Sequence, residues 1–373
     1  MNQEQITNNE SLITAFEKLL EQFKTNQKTW LITGNAGFIG SNLTEFLLSH
    51  NQKVVGLDNF STGYQHNIDD ILASVGEEAA KNFTFIEGDI ADFETCVKAC
   101  EGVDIVLHQA ALGSVPRSIA DPVTSNRSNI TGFLNMLTAA KDSGIKRFVY
   151  ASSSSVYGDS KELPKVEERT GNLLSPYAAM KMTNELYAGV FQKTYGMETL
   201  GLRYFNVFGR RQDPDGAYAA VIPKWVGSLL EGEDVYINGD GETSRDFTYI
   251  DNVIQMNLLA GTTDNTEAFG EAFNVAVGGR NTLNELYKII NDNLVEQLPR
   301  QEMPLGCKIN NLKFKIPEGP VFRDFRAGDI RHSNANISKA QNFVGYAPTH
   351  DIYQGMQEAI NWYIENIGNK NEN

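Results

Sequence analysis

Tyr177 and Lys181 stand four residues apart in Tyr177-Ala178-Ala179-Met180-Lys181, inside a stretch whose apolar spacing predicts a helix. On a helix that separation puts a phenol and an ammonium on one face. A phenol titrates near pH 10 and is a poor base at neutrality, but a neighbouring cation favours its ionised form. Some twenty residues upstream, Ser152-Ser153-Ser154-Ser155-Val156-Tyr157-Gly158 closes a β-rich run with a cluster of hydroxyls. A hydroxyl there could hydrogen-bond an alcohol whose proton the tyrosine removes.

Such chemistry needs an acceptor for the electrons that leave with the carbon-bound hydrogen, and the start of the chain supplies a place for one. The run KTWLIT leads into Gly34-Asn35-Ala36-Gly37-Phe38-Ile39-Gly40 and then SNLTEFLLSH. Glycines at a strand-to-helix turn allow the tight bend, the approach of a pyrophosphate to backbone N–H groups, and close helix–sheet packing. The spacing is GxxGxxG. The next β-rich run ends in Asp58, 18 residues after Gly40, where a carboxylate can accept from ribose hydroxyls and would repel a 2′-phosphate. NAD is therefore expected in preference to NADP. Gly88-Asp89-Ile90 and His108-Gln109-Ala110-Ala111 each follow a further run, at strand ends where an open parallel sheet takes ligands.

The elements that must position these groups alternate along the chain. KTWLIT, KVVGLD, NFTFIEGD, VDIVLHQA, IKRFVYAS and METLGLRYF are separated by helix-length amphipathic stretches, a pattern that predicts a doubly wound parallel sheet, Rossmann-like, with helices on both faces. After about Asn206 the rhythm gives way to Gly, Pro and Asp-rich turns, two helices over 220–231 and 251–262, and a loop-rich segment near 297–325. That composition suits a smaller C-terminal α/β substrate-binding lobe. The expected organisation is a helical arm over 1–27, a dinucleotide-binding domain over 28–205 to which the chain returns around 245–265, and the lobe over 206–373.

Bulk properties narrow the function classes. The formal net charge is −15, which argues against nucleic acid or an anionic membrane as partner and leaves room for a small anionic ligand held by local arginines and helix N-termini. No run approaches the length of a membrane span, and the N-terminus has no basic or apolar targeting pattern, so a cytoplasmic protein is expected. Cys96, Cys100 and Cys307 form no disulfide framework and have no histidine partners, so no metal is expected.

The glycine turn, the serine cluster, the Tyr-x-x-x-Lys pair and the order of everything between them resemble the extended short-chain dehydrogenase/reductase family over roughly residues 28 to 365. More narrowly, LDNFSTG, HQAALGSVPRS, LRYFNVFGRRQDPDGAYAAVIPKW, YINGDGETSRDF and RAGDIRHS resemble the bacterial UDP-N-acetylglucosamine 4-epimerases of surface-polysaccharide pathways. The resemblance implies that Tyr177 removes the O4 proton as hydride passes from C4 to a tightly held NAD. The 4-keto sugar then turns about its pyrophosphate linkage and takes the hydride back on the other face. Ser153 would share the O4 hydrogen bond and Lys181 would also bind the nicotinamide ribose. It further implies that Phe38, Ile39, Asn59, Ser61, Thr62 and Gly63 join Gly34, Gly37, Gly40, Asp58, Asp89, Ile90, Gln109, Ala110 and Ala111 around the cofactor.

For the UDP-sugar the resemblance implies Gly113, Ser114, Ser154, Ser155, Asn206, Val221, Tyr236 and Arg331, with Arg245 and Arg326 toward the pyrophosphate and Asp329 toward the uridine ribose. Guanidinium suits phosphate oxygens because its fork donates two parallel bonds. Ser333 falls where relatives restricted to UDP-glucose and UDP-galactose carry a tyrosine beside the C2 substituent, which leaves space for an N-acetyl group. Stretches 124–143 and 176–195 resemble two helices that pair across a two-fold axis, implying a homodimer. Two rivals inside the family, 4,6-dehydratases and UDP-glucuronate decarboxylases, carry acidic residues just after the serine or threonine, where this chain has Ser154 and Ser155. A rival of another kind is a NAD-sensing protein that keeps the fold without turnover.

Overall fold

The computed structural model describes residues 15–214, 220–297, 319–325 and 330–368. All six anticipated strands form: β1 (Thr29–Thr33), β2 (Lys53–Asp58), β3 (Phe83–Glu87), β4 (Ile105–His108), β5 (Arg147–Ser153) and β6 (Glu198–Tyr204). They pair in parallel in the order β3-β2-β1-β4-β5-β6, and a seventh strand, Glu271–Val275, adds to β6 in parallel. That last strand has no counterpart in the sequence reading. Its five residues, EAFNV, lie beyond the point where the strand–helix rhythm breaks, and only pairing with β6 distinguishes them from a lobe turn.

Alternation along the strands feeds two cores, as a sheet covered on both faces requires. Trp30 and Ile32 of β1, Val54, Ile105, Leu107 and Val149 pack toward Leu43, Leu47 and Ile71 from helices Phe38–Ser49 and Gln65–Ala80, together with helix Ile250–Thr262. Leu31, Leu57, Val106, Phe148 and Tyr150 face the other way, against helices Phe93–Ala99, Phe133–Asp142 and Pro176–Tyr195. The first cluster continues without a break into the C-terminal helices Val221–Glu231, Leu283–Gln297 and Ile352–Gly368 through Trp225, Leu286, Met356 and Ile360.

The helix over 15–23 docks at the edge of this core. Leu19 and Phe23 are buried, the Phe23 ring meets Trp30 edge-on at 6.0 Å between centroids, and the Gln52 amide donates to Phe23 O and Asn26 O. Among the described residues no helix is long and apolar enough to cross a membrane. Cys96 and Cys100 are buried free thiols that burial pushes up to about 12.

Candidate active site

The strand order reverses between β1 and β4, and at the carboxyl edge of that crevice lies a cavity of about 560 Å³. Helix Phe38–Ser49 begins there with Gly37 as its N-cap. It has no side-chain cap and no acidic residue in its first turn. Its leading N–H groups thus lack intrahelical acceptors and carry the positive end of the helix dipole, an arrangement suited to a pyrophosphate.

The glycines of this turn serve different ends. A Cβ on Gly40 would come within 2.1 Å of Gly34 O, so close packing of helix on turn demands glycine there. A Cβ on Gly37 would meet only Gly34 O, at 3.3 Å, leaving a concavity that protein atoms do not fill. Asp58 closes the second side. One of its oxygens accepts from Ala36 N and the other from Phe60 N, both at 2.9 Å. Burial raises its pKa and these backbone bonds act against the rise. Each oxygen keeps a further lone pair for a hydroxyl donor. The open glycine cradle, the bare helix terminus and the carboxylate at the end of β2 together fit a dinucleotide.

The cavity wall includes Gly34, Gly37, Phe38, Ile39 and Gly40 from the first turn, Asp58, Asn59, Ser61 and Thr62 after β2, and Asp89 and Ile90 after β3. Gln109, Ala110, Ala111 and Gly113 follow β4. Gly63 does not line it; there glycine is a packing requirement, since a Cβ would lie 2.7 Å from the Ala36 carbonyl carbon. Sequence reasoning missed Tyr64, Arg117, Ser128, Gln212 and Asp213, which also line the wall. Arg117, Gln212 and Asp213 fall inside runs that carry the family likeness, and a signal lay there unread. His108 is a core group: Thr33 Oγ1 bonds its Nδ1 at 2.9 Å, and burial, aided by the Lys181 charge, pulls it down to about 3.

The candidate proton-handling groups sit one strand over, at the carboxyl end of β5. Helix Pro176–Tyr195 starts with Ser175 accepting from Ala178 N and Pro176 at its first position, and Ser118 Oγ accepts from Tyr177 N at 3.0 Å. Ser118 was not anticipated, yet it fixes where the helix begins and hence where Tyr177 points. Burial pushes the Tyr177 phenol up to about 12, and the Ser153 side chain beside it opposes the rise. Lys181 is buried, donates to Ala151 O at 2.7 Å, and lies 5.8 Å from the Tyr177 ring centroid. Burial pulls it down to about 8, with Glu185 resisting.

One turn beyond Lys181, Glu185 accepts from Ser152 Oγ at 2.5 Å and pairs with the buried Arg203 of β6 at 2.7 Å. Arg203 reaches on to Tyr157 OH, which donates to Asn274 Oδ1 at 2.6 Å. This network ties helix Pro176–Tyr195 to β5, β6 and the seventh strand of the sheet. Ser154 and Ser155 begin a 3₁₀ turn in which Ser155 N donates to Ser153 Oγ; the Ser155 hydroxyl is buried with no partner among the described residues.

The residues expected on the sugar side come from scattered loops. Asn206 has φ 34° and its amide donates to Asp246 O at 2.9 Å. Arg245 donates to Ser244 O and Arg331 O, and Arg331 pairs with Asp240 at 2.7 Å on the surface. Ser333 N donates to Ser244 O at 3.1 Å. Tyr236 is stacked under the Arg323 guanidinium at 3.3 Å, Ser114 caps Val115–Ala120 with φ 126°, and Val221 opens its helix. Arg326 and Asp329 lie outside the described residues.

A doubly wound sheet with a glycine turn at its switch point, and a serine, tyrosine and lysine gathered at the end of β5, define an enzyme that works on alcohols through a bound nicotinamide dinucleotide. Residues 30–276 match the NAD dependent epimerase/dehydratase family, and the chain belongs to it. A UDP-N-acetylglucosamine 4-epimerase from Methanobrevibacter ruminantium, solved in complex with UDP-N-acetylmuramic acid, is 36% identical with a TM-score of 0.79, covering 91% of this chain and 99% of that one. The UDP-glucose 4-epimerase of Thermus thermophilus, solved with NAD, is 28% identical with a TM-score of 0.73, covering 90% and 98%. A UDP-glucuronate 4-epimerase from Thermodesulfobacterium geofontis is 32% identical over 91% of this chain and 97% of its own length.

Proposed function

We propose that the protein interconverts UDP-N-acetylglucosamine and UDP-N-acetylgalactosamine by inverting C4. The gathering of Ser153 and Tyr177 beside the anchored Lys181 carries this reading, because a base and a hydroxyl partner at one point are what reversible removal of an O4 proton needs. The Gly37 cradle, the helix N-terminus and Asp58 would hold NAD, which would supply a reversible hydride acceptor for C4.

The chain's own groups do the rest. Tyr177 takes and returns the O4 proton. Burial holds its phenol protonated, so its ionisation depends on positive charge, which Lys181, 5.8 Å from its ring centroid, and a bound nicotinamide ring would contribute. Ser153 would steady O4, and Lys181, fixed at Ala151 O, would bind the nicotinamide ribose. On the sugar side Asn206, Arg245 and Arg331 would hold the diphosphate. For Arg331 that role requires leaving Asp240, an exposed pairing of small worth. The N-acetyl preference rests on the small side chain of Ser333 and on likeness to the M. ruminantium enzyme.

We also propose a homodimer. Leu186, Val190 and Tyr195 on the catalytic helix and Ile119 and Val123 beside it are exposed large apolar groups, the composition of a surface covered in an assembly. A monomer mass in solution at micromolar concentration would remove that claim.

The test of function is to incubate the protein with UDP-N-acetylglucosamine, UDP-glucose and UDP-glucuronate separately and resolve the products. An equilibrium mixture of 4-epimers from the first, with no added cofactor and no accumulation of free NADH, is expected. Bound NAD with no conversion of any of the three would favour a sensor.

A further inference from the structure

The segment 209–214 crosses from the lobe side onto the dinucleotide pocket, and its two consecutive arginines are held in an unbroken chain of alternating charge. Arg211 pairs with Asp70 on helix Gln65–Ala80 at 2.6 Å and with Glu45 on helix Phe38–Ser49 at 2.8 Å. Arg210 reaches the same Glu45 at 3.4 Å and Asp251 at 3.2 Å. Arg211 is buried and sits at φ 66°, a left-handed conformation that an arginine adopts only where its surroundings enforce it. Burial of Glu45 acts to raise its pKa, but hydrogen bonds from Arg211 and Ser74 and the charges of both arginines prevail and hold it at about 2.

Neutral bonds complete the mooring. Asn42, in the opening turns of the helix that faces the pyrophosphate position, donates to both Phe38 O at 2.8 Å and Arg210 O at 3.0 Å. Tyr363 OH donates to Gly209 O at 3.0 Å, and the Gln212 amide to Val207 O at 3.0 Å. So fixed, the segment delivers Gln212 and Asp213 to the cavity wall. There Asp213 Oδ2 accepts from Tyr64 OH at 2.5 Å, at the solvent-exposed edge, and both residues line the cavity.

We propose that the segment 209–214 is a latch on the bound dinucleotide: Arg211, clamped by Glu45 and Asp70, sets it, and the Tyr64–Asp213 contact closes it over the pocket. The inference rests on the assignment of this cavity to NAD. Release of the cofactor then requires the contact to part and the segment to lift. Hydride returned to the same sugar makes cofactor exchange unnecessary in each turnover, so a slow exit costs the cycle nothing. Arg211 and Glu45 are positioning residues here, since neither lines the pocket.

The experiment loads the enzyme with labelled NAD and chases with excess unlabelled NAD, reading the dissociation rate beside the melting temperature of the apoprotein. Tyr64→Phe removes one hydrogen bond and no buried charge; release should quicken roughly fivefold, with the apoprotein melting as wild type does. Asp213→Asn should give a similar rate, and the double variant should be no faster than either single, because the contact acts as one unit. Arg211→Lys keeps the charge and loses the fork; it should release roughly tenfold faster, and Arg211→Met faster still. Wild-type release rates in folded Tyr64→Phe and Arg211→Lys would overturn the latch while leaving the pocket assignment standing. A wild-type protein that retains no dinucleotide would sink the assignment and the latch with it.

Discussion

The dinucleotide half of the site and the sugar half are built in different ways. The first comes from strand ends of one sheet: β1, β2, β3 and β4 each contribute the residues just past their last pair, and parallel register brings those ends to one edge. The second comes from loops spread over more than a hundred positions of sequence, where Asn206 and Ser333 are brought to the stretch around Arg245 by bonds to the Asp246 and Ser244 carbonyls. One half holds its shape through a core packed on both faces. The other holds it through a few polar contacts, among them Asp246, whose buried carboxylate accepts from Val277 N and Ala335 N and which burial pushes up to about 7 despite those bonds. A scaffold of the first kind fits one cofactor throughout a family; loops of the second kind can change substrate without disturbing the sheet.

Tyr177 stands on the seam between the halves and its loss should have the largest effect. Tyr177→Phe keeps the ring and its packing and removes the proposed base, so kcat should fall by at least roughly 10²-fold with KM little changed. The pH profile carries the sign. Burial favours the protonated phenol, so in the wild type kcat/KM should rise with pH until Tyr177 ionises, and the variant should lack that limb. Near-normal kcat would mean that the base lies elsewhere and that the seam is misplaced.

On the sugar side, Ser333→Tyr should separate substrates. Ser333 is half-buried and its backbone is pinned to Ser244, so a substitution there changes the side chain from a fixed starting point. If it faces C2, kcat/KM for UDP-N-acetylglucosamine should drop by roughly 10²-fold or more while UDP-glucose turnover survives. Equal losses on both sugars would indicate damage to the lobe, and no loss on either would remove Ser333 from the pocket.

The same contrast governs what could be read from the chain. Six strands were legible because each is an apolar run bounded by turn residues, and the glycine turn was legible because its chemistry is local. The seventh strand was not, since EAFNV becomes a strand only through pairing with β6. Tyr177 and Lys181 could be joined by helical spacing alone, but Ser118 as acceptor for Tyr177 N is a contact across 59 positions that no local pattern encodes. Arg331 shows the converse. Its residue type suits a phosphate, yet in the structure it is engaged with Asp240. Tyr64 and Asp213 meet across 149 positions, and sequence alone names neither as a partner of the other.

The smallest expected effect is the one that tests whether the dinucleotide half is shaped by protein or by ligand. Gly40→Ala would force a methyl to 2.1 Å from a backbone carbonyl, and backbone cannot yield as a side-chain end can, so the apoprotein should melt several degrees lower whatever is bound. Gly37→Ala meets nothing closer than 3.3 Å, and the turn there has φ −86°, which alanine accepts. Its apoprotein should therefore melt like wild type. If a pyrophosphate rests against the N–H groups at this helix terminus, the added methyl intrudes on it, and NAD affinity should fall by about tenfold, an amount equivalent to about 1.4 kcal/mol. Apoprotein stability measured by calorimetry and NAD affinity measured by titration then move in opposite patterns for the two variants. A Gly37→Ala protein that binds NAD as tightly as wild type would mean the pyrophosphate passes elsewhere, and that the concavity at Gly37 is open for some reason other than the cofactor.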